Sequence, residues 1–347
     1  QYNGATQNVY LESEDGNKAI IVVGELDSSA SIGVTTQEVG MTVAENISKV
    51  NADHFFSDNS KKYTLQYSYA DKTLTMVAAT TATHTAHPIC GDASCDNSDH
   101  ALPSGETWKG ISALSDISKG GYYYLTDDVT LTTTTKSWTC WNDVTLCLNG
   151  HSIIANLDDA AIKISSSSGA KLTLCDCKGT GGITHGTKDN GETYTGAGVA
   201  TTGNTFNMYG GTIAGNRNTF GAGVRMDAGS TFNMYGGTIT DNEAYVENAG
   251  STSEGLGGGV YVNGISGSYA NFNMYGGTIK DNTATNSGGG VYVGSYGTLN
   301  MSGGSITGNS AAQGGGVRYT SDVASSFTVS GNVNITGNKD TSDNANN

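Results

Sequence analysis

The stretch FNMYGGTITDN, residues 232–242, recurs as FNMYGGTIKDN at 272–282 and as FNMYGGTIAGN at 206–216. Weaker copies start at Leu299 and Phe327, so successive starts lie 26, 40, 27 and 28 residues apart and the period is near 27. Each copy closes on an asparagine, at Asn216, Asn242, Asn282, Asn309 and Asn338, ten residues after its start in four copies and 11 in the last. A second landmark, GGGV at 257–260, 288–291 and 314–317 with GAGV variants ending at Val199 and Val224, follows eight or nine residues later in the normal copies. Segments held to such constant length are geometric modules. Side chains alternate between the two faces of a strand. In FNMY, Phe and Met therefore share one face and Asn and Tyr the other; in VYV, Val260 and Val262 point inward and Tyr261 outward. Ile213, Ile239, Ile279 and Ile306 supply a third inward strand.

Three short strands per period, separated by glycine-rich corners, describe one coil of a parallel β-helix. A single coil cannot bury its apolar face; a stack of coils about 4.8 Å apart can. The recurrent asparagine is expected to occupy the left-handed region at a corner and to hydrogen-bond from coil to coil. Degenerate coils at 144–164 and 172–185 extend the pattern backwards. The expectation is about nine coils from Gly105 onward, with an axis of about 40 Å.

Composition agrees with an all-β chain: 347 residues hold 50 Gly, 2 Pro and only 14% charged residues, which favours strands and tight turns. The net charge of −15, with 17 Lys plus Arg, repels phosphate backbones and anionic membrane surfaces, so nucleic acid is not an expected partner. No apolar run reaches membrane-spanning length, and Gln1 opens no basic and then apolar leader, so direct membrane insertion is not expected and any leader is expected to have been removed. An even count of six cysteines fits disulfides outside the cell, and by count alone also metal ligation.

Residues 1–83 read as a separate small β-rich domain with AIIVVGEL as a strand, a hairpin turning at Ala70-Asp71, and TVAENISKVN, 42–51, as a short helix between them. Residues 84–104 hold both prolines and read as a linker, leaving 105–347 for the β-helix.

The repeat GGTITDN…GGGVYV resembles those of the polymorphic outer membrane protein family. It is more similar still to large secreted or surface-anchored right-handed, pectate-lyase-like β-helix proteins of gut-type Gram-positive bacteria, which share YYLTDDVTL, VTLCLNGHSI and FNMYGGTI, here at 123–131, 144–153 and 206–213. The resemblance spans 122–338, about two thirds of the chain, and implies extracellular display and an adhesin-like role, with no catalytic residues to carry over.

Candidate sites follow from the columns. Cys147 and Cys175 lie one coil apart, each after an inward leucine, and are expected outward-facing and side by side, about 5 Å apart as a disulfide tolerates. Cys90 with Cys95 would close a local loop and leave Cys140 with Cys177, although spacing does not fix connectivity. The tract His84, His87, Cys90, Cys95, His100 has spacing compatible with zinc; an oxidising compartment favours a disulfide loop with exposed histidines instead. No other metal or cofactor is expected.

In-register stacking would align Tyr209, Tyr235 and Tyr275 on one face and Arg225, Tyr261, Tyr292 and Arg318 on another. Such rows suit host or bacterial surface glycans and proteins, and equally the mutual stabilisation of coils. One coil carries two insertions. The first, EAYVENAGSTSEGL at 243–256, places Glu243, Glu247 and Glu254 at an edge where repeat proteins build binding sites or simply tolerate extra loop; no calcium-binding repeat accompanies these carboxylates.

The rival reading is a polysaccharide lyase or glycoside hydrolase, which needs paired carboxylates or a base with a cation. The candidate pairs, Asp127-Asp128 and Asp158-Asp159, have no Lys or Arg cluster beside them in sequence, and Asp241 and Asp281 are replaced by Gly215 and Gly308 in other copies, as suits a permissive turn. The expectation is a non-catalytic secreted or cell-surface β-helix, a piece of a longer adhesin-like protein; a structural spacer or filament subunit, self-associating through exposed β-helix ends, is a further alternative.

Overall fold

A computed structural model describes residues 106–165, 169–320 and 324–340 and, before them, residues 7–11, 20–21, 32–36, 42–45, 47, 55–57, 63–68 and 73–78. The chain divides into two compact units, Gln1–Thr83 and His84–Asn347. The described residues are all-β, apart from one 3-10 turn, Leu114–Asp116.

In the second unit almost every strand pairs in parallel with its equivalent one repeat away, as a parallel β-helix requires. The FNM strands Thr205–Met208, Thr231–Met234 and Ala270–Met274 lie in register, Phe206 opposite Phe232 and Phe232 opposite Phe272. This column runs from Trp108–Ile111 through Asp143–Cys147 and Lys171–Cys175 to Gly297–Thr307 and Ser326–Thr336. The Thr-Ile strands build a second column in the same sheet, and the Val-x-Val strands a separate seven-stranded sheet. A fourth column, absent from the three-strand reading, follows the asparagine: Arg217–Asn218, Glu243–Ala244, Thr283–Ser287 and Ser310–Gln313. Two of its strands are only two residues long, too short to show alternation.

The alternation places the core as expected. Phe206, Phe232, Phe272, Met208, Met234 and Met274 are fully buried, with the valines and isoleucines of the other columns. The phenylalanine rings stack at 4.8 and 4.7 Å between centroids, so each covers the next. Full burial of one such side chain contributes about 2–3 kcal/mol. The glycine blocks also stack: a Cβ on Gly258 would lie 2.3 Å from the Thr283 carbonyl oxygen, and one on Gly259 2.6 Å from that of Gly290. No side chain fits where backbones approach so closely. At the far end the last strand leaves Phe327, Val333 and Ile335 only partly covered.

The closing asparagines form a buried ladder. The Asn216 Nδ2 donates to Asn242 Oδ1 at 2.8 Å, and Asn242 to Asn282, Asn282 to Asn309 and Asn309 to Asn338 at 2.9 Å each. The same Oδ1 atoms accept backbone N–H bonds at 3.0–3.1 Å, and further Nδ2 bonds reach the isoleucine carbonyls. The left-handed residue is not the asparagine but the one before it: Gly215, Asp241, Asp281, Gly308 and Gly337 all have φ between 53° and 68°. That explains why only Asp and Gly occur there. A second, outer ladder runs Asn300 to Asn273 to Asn233 to Asn207 and donates in the opposite direction.

The first unit holds a three-stranded parallel sheet of Gln7–Leu11, Ile32–Thr36 and Phe55–Ser57, and a four-stranded sheet. The hairpin appears as read, with Ser68 opposite Thr73. The described part of the helix expected at 42–51 is not helical: Thr42–Glu45 is a strand, its Val43 and Ala44 buried with Val34, Phe55, Leu74 and Met76. A short segment with helical spacing is overridden when it can add a rung to a sheet.

Asn242→Ala leaves partners unsatisfied on both neighbouring coils and is expected to cost about 3 kcal/mol in denaturant unfolding, against about 1 kcal/mol or less for Asn233→Ala in the half-exposed outer ladder.

Candidate functional site

The outward positions of the Val-x-Val sheet form one column: Lys163 opposite Ala200, Ala200 opposite Arg225, Arg225 opposite Tyr261, Tyr261 opposite Tyr292, Tyr292 opposite Arg318. Between the long cations Lys163 and Arg225 the column carries only a methyl group. Over Ala200 lies a groove of about 490 Å³, lined also by Asp158, Asp159, Thr195, Asn218, Asp227, Tyr245 and Glu247.

Its walls come from loops. One enters the groove at Thr195–Ala197; just before it Thr187 bridges Thr193, Lys188 sits 2.9 Å from Asp158 and its amine lies over the Tyr194 ring. The other is the insertion at 243–256, whose three carboxylates have separate tasks. Glu243 pairs with Arg217 at 3.0 Å. Glu254 folds back to accept from the Glu247 and Asn248 backbone N–H groups at 2.9 and 3.0 Å and from Asn248 Nδ2, bonds that hold its carboxyl below the usual range. Glu247 faces the groove. Tyr245 stands beside it with the Arg217 guanidinium 3.8 Å from its ring centroid.

Ion pairs fix the remaining charges. Lys163 Nζ lies 2.5 Å from Asp159 Oδ2, and Arg225 Nε 3.0 and 3.2 Å from the two Asp227 oxygens. Asp158 also accepts from the Thr195 N–H and hydroxyl at 2.8 and 3.0 Å. Burial pushes the Asp158 and Asp159 carboxyls up, but hydrogen bonds and charge from Lys188 and Lys163, with the Thr195 and Ala160 donors, outweigh it and leave both below the ordinary carboxylate range. The sequence reading found no Lys or Arg cluster beside this pair; the fold brings two lysines to it, Lys163 four residues on and Lys188 from a loop. His185, buried, joins groove to core, its Nδ1 2.8 Å from Asn216 Oδ1 at the head of the inner ladder and its Nε2 2.8 Å from the Asp159 carbonyl.

The tyrosine row lies on another face. Tyr209, Tyr235 and Tyr275 stack at 4.5 and 4.9 Å, within 13° of parallel, and Tyr261 stacks on Tyr292 at 5.5 Å and 6°. Sugars pack on ring faces, and here most faces are covered by the next coil. Edges and hydroxyls remain. The rows brace the coils, and along them the rings present mainly edges and hydroxyls. Burial, with Tyr292 and Asp227 beside it, pushes the Tyr261 phenol up to about 12, despite Arg225.

The described cysteines, Cys140, Cys147, Cys175 and Cys177, form no disulfide with one another, against the expected pairing. Cys147 lies opposite Cys175, as read, but both are fully buried rather than outward-exposed. Cys177 is near Cys147, not Cys140, because Cys140 belongs to the Val-x-Val sheet on another side of the coil, where its thiol donates to the Asn142 carbonyl. Burial raises the Cys140 thiol to about 11 and the Cys177 thiol to about 12. Cys90, Cys95 and the histidines of their tract lie outside the described residues. Among the described residues no cluster of His, Cys, Asp or Glu could hold a metal ion, and no helix is long and apolar enough to cross a membrane.

Comparison with protein families, with curated proteins and with solved structures finds no match.

In a spectrophotometric titration, wild type is expected to show a phenol ionising near pH 12 that Tyr261→Phe lacks. Since the folded state holds that proton more tightly than the unfolded one, stability is retained below about pH 10 and falls as pH rises toward 12. Of the described cysteines, alkylation mapped by peptide mass spectrometry is expected to label Cys177, the least buried, first, with Cys140, Cys147 and Cys175 labelled only on unfolding.

Proposed function

We propose that the second unit is a right-handed parallel β-helix displayed outside the cell, and that it works as a non-catalytic, adhesin-like binding protein for surface glycans or proteins. Right-handedness follows from the strong preference of parallel crossovers for that hand. Extracellular display is supported by the acidic surface and by the repeats' resemblance to surface-displayed β-helices. The observation that carries the binding reading is the groove over Ala200. Rigid strands hold Lys163 and Arg225 on either side of a small floor, while two loops, one of them an insertion into the repeat, add Tyr245, Glu247 and Asp158. Concave, polar and partly aromatic, this is the kind of site that binds ligands on repeat scaffolds.

Hydrolysis is disfavoured by the charge state of the same groove. A glycoside hydrolase needs one carboxyl raised so that it stays protonated near neutral pH. Asp158 and Asp159 are instead held ionised by their lysines.

On an immobilised glycan and protein panel, binding is expected to fall about tenfold or more in Arg225→Ala and to persist in Tyr235→Ala, which lies on the other face. Incubation with plant and host polysaccharides is expected to release no reducing ends. Release abolished by Asp159→Asn would make the protein an enzyme and overturn this reading.

A further inference from the structure

We infer that the groove over Ala200 takes a neutral oligosaccharide and discriminates against acidic ones; this rests on the groove being the binding site proposed above. Four carboxylates, Asp158, Asp159, Asp227 and Glu247, line it against two cations, Lys163 and Arg225. Each cation already has its carboxylate, and the nearby Lys188 and Arg217 are committed to Asp158 and Glu243. A uronate or sulfate would have to sit beside uncompensated negative charge, or break an existing pair, on a chain whose net charge is −15.

What the groove keeps in reserve has mixed character. Arg225 uses Nε toward Asp227, and its two Nη groups make no hydrogen bond among the described residues. Lys163 retains donors beyond its bond to Asp159. The Glu247 carboxylate has no ion pair among the described residues, so it is a pure acceptor aimed at the same space. Separated donors and acceptors that do not satisfy each other match a ligand whose groups do both, and the hydroxyl is that group. The Tyr245 ring adds an amphipathic wall. A neutral pyranose chain presents hydroxyls around an apolar ring, and needs no charge neutralised.

The test measures equilibrium binding of neutral gluco-, manno- and galacto-oligosaccharides, oligogalacturonates and glucosamine oligosaccharides to the full chain, with Ala200→Phe, Glu247→Gln and Trp141→Ala. Ala200 points away from the core, so Ala200→Phe fills the groove without disturbing the stack; Glu247 sits in a loop, so its variant serves should the first misfold. Trp141, 60% exposed, lies in a separate cleft of about 350 Å³. The expected result is a neutral ligand whose binding is insensitive to salt, is lost in Ala200→Phe and weakens about tenfold in Glu247→Gln through loss of a charged acceptor. Tighter binding of oligogalacturonate, strengthened by Glu247→Gln, or of the amino sugar, would overturn the ligand class and leave the groove standing. Binding that survives Ala200→Phe, or is lost in Trp141→Ala instead, would overturn the groove and this inference with it. So would the absence of binding by every glycan tested.

Discussion

A coil of this protein can bury its phenylalanine and methionine only against a neighbour aligned with it residue for residue, because a slip of one position turns every inward side chain outward. The buried asparagine ladder holds that alignment. At Asn242, Asn282 and Asn309 the Oδ1 is occupied by the backbone and side-chain N–H of the asparagine one coil before, while the residue's own Nδ2 reaches the coil after. An apolar column tolerates sliding by a fraction of a residue; a chain of amides at 2.8–2.9 Å does not. Because the outer ladder donates the other way along the stack, the amide dipoles of the two rows oppose rather than add.

Repetition and function are divided between different parts of the columns. Where a column repeats the same residue, neighbours satisfy each other: Phe stacks on Phe, Tyr on Tyr, and Asn bonds to Asn. Such rows have little left to offer a ligand. Where the column changes from Lys163 to Ala200 to Arg225, neighbours leave a gap, and their partners come from loops at its sides. His185 stands between these regimes, ending the ladder on the carbonyl of the aspartate that holds Lys163.

Much of the fold was legible because the repeat is its own alignment. The periods placed Phe206 beside Phe232, Tyr261 beside Tyr292 and Cys147 beside Cys175, and all three pairs lie in register. Burial was less legible: alternation sent both cysteines outward, and both are fully buried. The short fourth column escaped notice because two-residue strands carry no period. The strand Thr42–Glu45 passed for helix because only its sheet neighbours reveal which face of it is buried.

The sequence by itself determined the coil, its inward residues, its register and the rows of like side chains, since these depend on spacing along the chain and on a stack that repeats it. Only the tertiary structure decided what the rows do. Ring faces are hidden or shown according to how closely the coils approach, and Lys188 meets Asp158, or Tyr245 meets Arg217, through loops that obey no period. Contacts made once, between residues far apart and unrelated by the repeat, leave no trace in spacing; they exist when the chain has wound, and the candidate site is built of them.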